Sequence, residues 1–217
     1  MQTNDLISRK LYEQYLTALL KGRRSVCTRI VQQLLEQEIE LETLYTDLFQ
    51  KSLYEVGELW ERNTISVAKE HLATAITEGL LNLVYARLFS GRNSTGKKVV
   101  ISCAANEFHQ VGGKMVADVF EMHGWDSHFL GANTPVEELL GYIQESDPDL
   151  LGMSLSVYFN LPSLQKGLEA VRADFKNLDV FIGGQAFRWG GLEAIKPYPG
   201  VLYIGSLADL EKEIGGE

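Results

Sequence analysis

Two hydrophobic periods divide the chain. Over residues 6–90 the apolar positions recur three and four apart: Leu16, Leu19 and Leu20, then Ile30, Val31, Leu34 and Leu35, then Leu41, Leu44, Tyr45, Leu48 and Phe49. Gly22 and the stretch Glu36–Glu40 interrupt the pattern. Asn63 and Thr64 punctuate it before Ile65, and a last helix is expected to run to Phe89. Four amphipathic helices with short connections predict a small bundle. From Lys98 the period changes. Val99–Cys103 is a short apolar run rich in β-branched residues, which suits a buried strand. A helix marked by Met115, Val116, Val119 and Phe120 follows, and strand then alternates with helix. The further strands are expected at Ser127–Leu130, Leu150–Ser154, Val180–Gly183 and Val201–Ile204. The further helices are expected from Pro135, over Leu161–Phe175, and briefly at the end.

Such alternation predicts a doubly wound α/β domain, a parallel five-stranded sheet of Rossmann or flavodoxin type with helices on both faces. An all-α four-helix-bundle cap precedes it. Residues 90–97, Ser-Gly-Arg-Asn-Ser-Thr-Gly-Lys, read as a linker, so the expected domains are 1–92 and 93–217. Ligands of open parallel sheets bind beyond the carboxyl ends of the strands. The loops to search are therefore 104–112, 131–135, 154–161 and 183–188.

Charge narrows the function classes. The formal net charge is −9, and it is unevenly spread: residues 1–92 hold 11 basic and 12 acidic residues, residues 93–217 hold 9 and 17. An α/β half with a net of −8 repels phosphate backbones, so no nucleic-acid partner is expected. No run of about 18 apolar residues exists, so no membrane span is expected. The N-terminus has no basic segment leading into an apolar run, unlike a secretory signal. Cys27 and Cys103 fit no metal spacing and read as reduced, buried thiols of a cytoplasmic protein.

The first sheet-end loop carries the candidate chemistry: Ala104-Ala105-Asn106-Glu107-Phe108-His109-Gln110-Val111-Gly112-Gly113. It lacks the glycine spacings of nucleotide phosphate cradles. It does place a carboxylate two residues before a histidine, and a metal-bound imidazole needs its other nitrogen hydrogen-bonded. Gly112 and Gly113 leave room for a bulky flat group. A loop histidine ahead of a helix is more often a plain polar residue than a ligand. One histidine is also too few for zinc, which takes about four ligands. A metal that brings four equatorial nitrogens of its own needs only one or two from the protein.

Glu107-x-His109-x-x-Gly112 resembles the D-x-H-x-x-G signature of the cobalamin-binding domains of methionine synthase, mutases and corrinoid methyl carriers. Glu stands where the signature has Asp, as it does in the light-sensing adenosylcobalamin regulators. Gly131-Ala132-Asn133-Thr134-Pro135 resembles the family's L-G-x-x-x-P stretch, Ser154-Leu155-Ser156 its S-x-L/T motif, and Gly183-Gly184-Gln185 its G-G motif. The resemblance implies cobalamin, as adenosyl- or methylcobalamin, with the benzimidazole tail off the cobalt. It implies His109 as the lower cobalt ligand through Nε2 and Glu107 as its hydrogen-bonded support. It also implies a tail slot beside Ser154, Ser156, Gly183 and Gly184. Without the resemblance, the glycines read as a turn after a strand and the serines as a capped strand end.

In the helical half, Trp60 followed ten residues later by Glu70-His71 resembles the W-x9-E-H pattern in the cap of adenosylcobalamin photoreceptors. There the Trp shields the upper axial group, with the Glu and His beside it. On composition alone such a Trp is more often core, and a Glu-His pair more often solvated. Two departures stand out. Glu61 follows Trp60 where the photoreceptors are associated with a histidine, and no helix-turn-helix precedes the cap. A self-contained light-regulated repressor is therefore not expected.

Two readings remain. The first is an adenosylcobalamin-binding sensor or storage module that works with a regulator or as a homo-oligomer. The second is a corrinoid protein carrying methyl groups for a methyltransferase. A phosphoacceptor receiver would need an Asp where the third strand ends in Ser154, and a flavin site would need a phosphate loop at 104–110. No complete set of catalytic groups is present for the chain to act alone.

Overall fold

The computed structural model describes residues 6–86 and 94–215, in two compact units. The linker at 90–97 falls partly on residues 87–93, and the expected boundary and the end of the last cap helix lie outside the described residues.

The helical unit contains α1 (Arg9–Leu20), α2 (Arg24–Glu36), the short turn α3 (Leu41–Thr43), α4 (Lys51–Glu61) and α5 (Val67–Tyr85). Ser8 caps α1 by accepting the Leu11 amide at 3.3 Å. Between α3 and α4 the backbone stays helical but widens into a π-helix over Leu44–Gln50. The sequence explains this. Leu44, Leu48, Ser52 and Val56 recur every fourth residue and all are fully buried. In a regular α-helix such a stripe would swing about 40° at each step. The wider turn over Leu44–Gln50 drifts the opposite way and offsets part of that swing before α4 resumes the regular step. Helices α1, α2, α4 and α5 are the expected bundle, and Tyr15, Tyr45 and Phe49 form its aromatic centre, with ring centroids 6.1 and 6.3 Å apart.

The α/β unit has β1 (Lys98–Cys103), α6 (Val111–Met122), β2 (Asp126–Gly131), α7 (Val136–Ser146), β3 (Leu150–Ser154), α8 (Leu161–Asp174), β4 (Asp179–Gly183), β5 (Val201–Tyr203) and α9 (Leu207–Gly215). All neighbouring strands pair in parallel, in the order β2-β1-β3-β4-β5. Alternate strand residues serve opposite faces. On one face Val100, Leu151, Met153, Val180 and Ile182 pack beneath α7 and α8. On the other, Phe120 of α6 packs on Phe181 of β4, with ring centroids 5.6 Å apart. The sheet is therefore doubly wound.

Two features aim the sheet's carboxyl edge. The chain leaves β1 toward β2 on one side, while β3 lies on the other, so the switch point of the topology falls between the ends of β1 and β3. Between Ile101 and Ser102 the β1–β2 register slips: Ile101 faces Phe129, but Ser102 faces Gly131. This bulge redirects the end of β2.

Candidate functional site

The two loops flanking the switch point are joined by a single carboxylate. Glu107 is fully buried, with 0% of its surface exposed. Its Oε1 accepts the backbone N–H of His109 at 3.0 Å and lies 2.6 Å from His109 Nδ1. Its Oε2 accepts the backbone N–H groups of Ser156 and Val157, both at 2.9 Å, from the loop after β3. Asn160 Nδ2 adds a longer contact at 3.4 Å. Burial alone would favour the neutral acid. The hydrogen bonds from the His109 ring and from the His109, Val157 and Ser156 amides outweigh it and pull the Glu107 carboxyl down to about 2.

An ionised carboxylate only accepts, so His109 Nδ1 is the protonated nitrogen. In the neutral ring the lone pair then sits on Nε2, the tautomer a metal requires. The His109 side chain is 51% exposed. The arrangement can thus hold an oriented imidazole at the sheet's edge, against a buried negative charge. Cys103, at the end of β1, is no rival nucleophile: burial, then the Glu107 charge, push its thiol up to about 12. Among the described residues no group of three or more His, Cys, Asp or Glu could hold a metal ion. The donor set suits a metal already chelated by its own ring, as in cobalamin.

The other sequence-predicted residues fall in three places. Gly112 lies in the first turn of α6, where an added Cβ would meet nothing within 4 Å. Ser154, Ser156, Gly183 and Gly184 gather at the ends of β3 and β4, with Ser154 paired to Gly183. Ser156 serves through its backbone N–H. A Cβ on Gly184 would lie 2.1 Å from the Leu155 carbonyl oxygen, and one on Gly183 2.9 Å from that of Ile204. The backbone itself therefore demands both glycines, before any ligand is considered. Trp60, Glu70 and His71 all lie in the helical unit. Trp60, near the end of α4, is 45% exposed. Glu70 and His71 share the start of α5, with His71 Nε2 3.6 Å from Glu70 Oε2, while Glu70 Oε1 accepts the Thr74 hydroxyl at 2.9 Å.

Sequence reasoning missed three asparagines. Asn160 Nδ2 donates to the Asn106 carbonyl at 3.1 Å as well as reaching Glu107. Asn106 and Asn133 both have positive φ, 66° and 52°, which Asn tolerates better than most residues. An Asn in each of three sheet-end loops was the available signal.

Two family models, each described as a B12 binding domain, match residues 11–85 and 97–206. Over 138 residues the chain is 30% identical to the HTH-type transcriptional repressor CarH of Myxococcus xanthus, covering 63% of this chain and 45% of that one. Over 133 residues it is 24% identical to dimethylamine corrinoid protein 1 of Methanosarcina acetivorans, covering 60% and 62%. The matched stretch thus spans less than two thirds of the length of these curated relatives. In fold it is similar to the Methanosarcina barkeri monomethylamine corrinoid protein, with a TM-score of 0.81 and 12% identity over 94% of this chain and 97% of that one. The chain therefore belongs to the B12-binding family and is a cobalamin-binding protein, its helical and α/β units each corresponding to a B12 binding domain.

Proposed function

We propose that this chain holds cobalamin with His109 Nε2 as the lower cobalt ligand and the benzimidazole tail displaced, and that it serves as an adenosylcobalamin sensor or storage module. The observation that carries the reading is the buried, ionised Glu107 fixing the Nδ1 proton of a half-exposed His109. Cobalamin would supply the reactive cobalt–carbon bond. Glu107 fixes ring orientation and tautomer, and the Ser156 and Val157 amides keep Glu107 charged. Gly112 leaves open space beside the histidine loop. The tail is assigned to the ends of β3 and β4, beside Ser154, Ser156, Gly183 and Gly184. Trp60, Glu70 and His71 are assigned to the upper axial side, as in the photoreceptor pattern that their spacing resembles. The domain boundary is placed between residues 92 and 93.

A methyl carrier is the second reading. The dimethylamine corrinoid relative and the fold likeness to the monomethylamine corrinoid protein favour it. A methyltransferase would then be the partner, whereas sensing calls for a regulator or a second copy of the chain.

Reconstitution with each cobalamin tests both levels. His109→Ala is expected to convert the absorbance spectrum from a nitrogen-ligated to a water-ligated, base-off form, and an unchanged spectrum would remove His109 as the ligand. The wild type is expected to bind adenosylcobalamin more tightly than methylcobalamin. The reverse order would favour the carrier.

A further inference from the structure

The His109 loop is gripped from a second side, independently of Glu107's carboxylate. The slipped register at the end of β2 brings residues 131–133 beside the loop after β1. There Asn133 makes two bonds. Its side-chain Oδ1 accepts the Asn106 backbone N–H at 2.8 Å, and its own backbone N–H donates to the Glu107 carbonyl oxygen at 2.8 Å. On the far side of the histidine, Gln110 Oε1 accepts the Ala132 backbone N–H at 3.1 Å. The segment 106–110 is thus bracketed at residues 106, 107 and 110, with His109 between the anchors.

Both asparagines adopt the left-handed conformation, Asn106 at φ 66° and Asn133 at φ 52°. Holding two non-glycine residues there costs free energy that a free loop would shed by relaxing. Here the paired bonds return it. The side chain of Asn106 is also occupied, Nδ2 donating to Ser163 Oγ at 3.1 Å in α8. The turn at 106 is therefore tied to β2 by its backbone and to α8 by its side chain.

We infer that Asn133 is a positioning residue for cobalt ligation: through the Asn106 amide and the Glu107 carbonyl it sets the height and direction of the loop presenting His109. Its hydrogen bonds go to the Asn106 amide and the Glu107 carbonyl and not to the imidazole or the carboxylate, so it acts on the geometry of the loop and not on the charge of the pair. This rests on the reading of His109 as the lower ligand.

Asn133→Gly keeps the positive φ accessible and removes the side chain whose Oδ1 makes the bond to the Asn106 amide, leaving the backbone bond to Glu107 in place. Asn133→Asp restores an acceptor at the same reach. In the protein without cofactor, Asn133→Gly is expected to speed hydrogen exchange of the Asn106 amide about tenfold while the melting temperature stays within a few degrees. With cobalamin at saturation it is expected to lower the nitrogen-ligated fraction and to weaken binding roughly fivefold, the scale of one lost hydrogen bond. Asn133→Asp is expected to recover both. His109→Ala runs alongside. If it changes the spectrum while Asn133→Gly matches wild type, the positioning role is overturned and the ligand reading stands. If His109→Ala changes nothing, the ligand reading falls, and the positioning inference with it. Unchanged Asn106 exchange in Asn133→Gly overturns the loop argument whatever the cofactor does.

Discussion

Glu107 is a carboxylate whose oxygens both take backbone amides, one from its own loop and two from the next. Its pKa in the folded chain, about 2, lies below the ordinary 4.5. A depressed carboxyl stabilises the fold fully above the unfolded value and loses that contribution as pH falls through the folded one. The window is therefore about pH 4.5 down to 2. The shift corresponds to on the order of 3 kcal/mol. Glu107→Gln, which never carries the charge, is expected to be less stable than wild type at pH 7 by a similar amount. The gap should close as both are titrated toward pH 2. Urea melts of the cofactor-free proteins across that range measure it, and a constant gap would mean the carboxylate is not the charged anchor described. The pair itself was legible in the sequence, because two-residue spacing within one loop leaves little freedom. Asn160 and Asn133 were not, since they stand 53 and 27 residues from their partners Glu107 and Asn106, and only the folded sheet edge brings them together.

The elements were readable because their periods differ. Strand runs such as Val99–Cys103 have no polar face, and the cap helices repeat at three and four residues. The π-helical stretch over Leu44–Gln50 was not read, although its four-residue repeat of buried positions was present. A strict step of four is easily mistaken for ordinary helical spacing. The glycines at the end of β4 read either as a turn after a strand or, by resemblance, as the lining of a tail slot, and the structure gives them a backbone reason. Gly184 has φ 114°, and its Cβ would press on the Leu155 carbonyl oxygen. Gly184→Ala is expected to cost about 2–4 kcal/mol, from strain and a clash with backbone that cannot give way. A lowered urea midpoint at unchanged slope would report it. Gly112→Ala, in the open first turn of α6, is expected to fold as well as wild type but to bind cobalamin less tightly. Equal losses of stability in the two variants would contradict the distinction between them.

At the scale of the whole molecule, the two B12 binding domains account for residues 11–85 and 97–206. The chain is similar both to a protein named as a repressor and to one named as a corrinoid protein, so the similarity does not by itself choose a role. Under the proposed reading, the residues that bear on the choice are Trp60, Glu70 and His71, together with Glu61, which would not capture cobalt as an imidazole would. Under the sensor reading, illumination of the adenosylcobalamin-loaded protein is expected to cleave the cobalt–carbon bond and to change its assembly. Absorbance and size-exclusion elution before and after light measure both. Cleavage with no change in size would count against sensing by this chain, and methyl transfer to a partner's acceptor would place it with the carriers.

Ligation of cobalt by His109 would have a consequence for competition from other metals. Among the described residues no group of three or more His, Cys, Asp or Glu gathers here, so a bare zinc or nickel ion would lack a full protein coordination shell. Discrimination then needs no selectivity filter for the element. Under the proposed reading, the seat at His109 favours a metal that brings its own ring, because a free ion gains little from one imidazole.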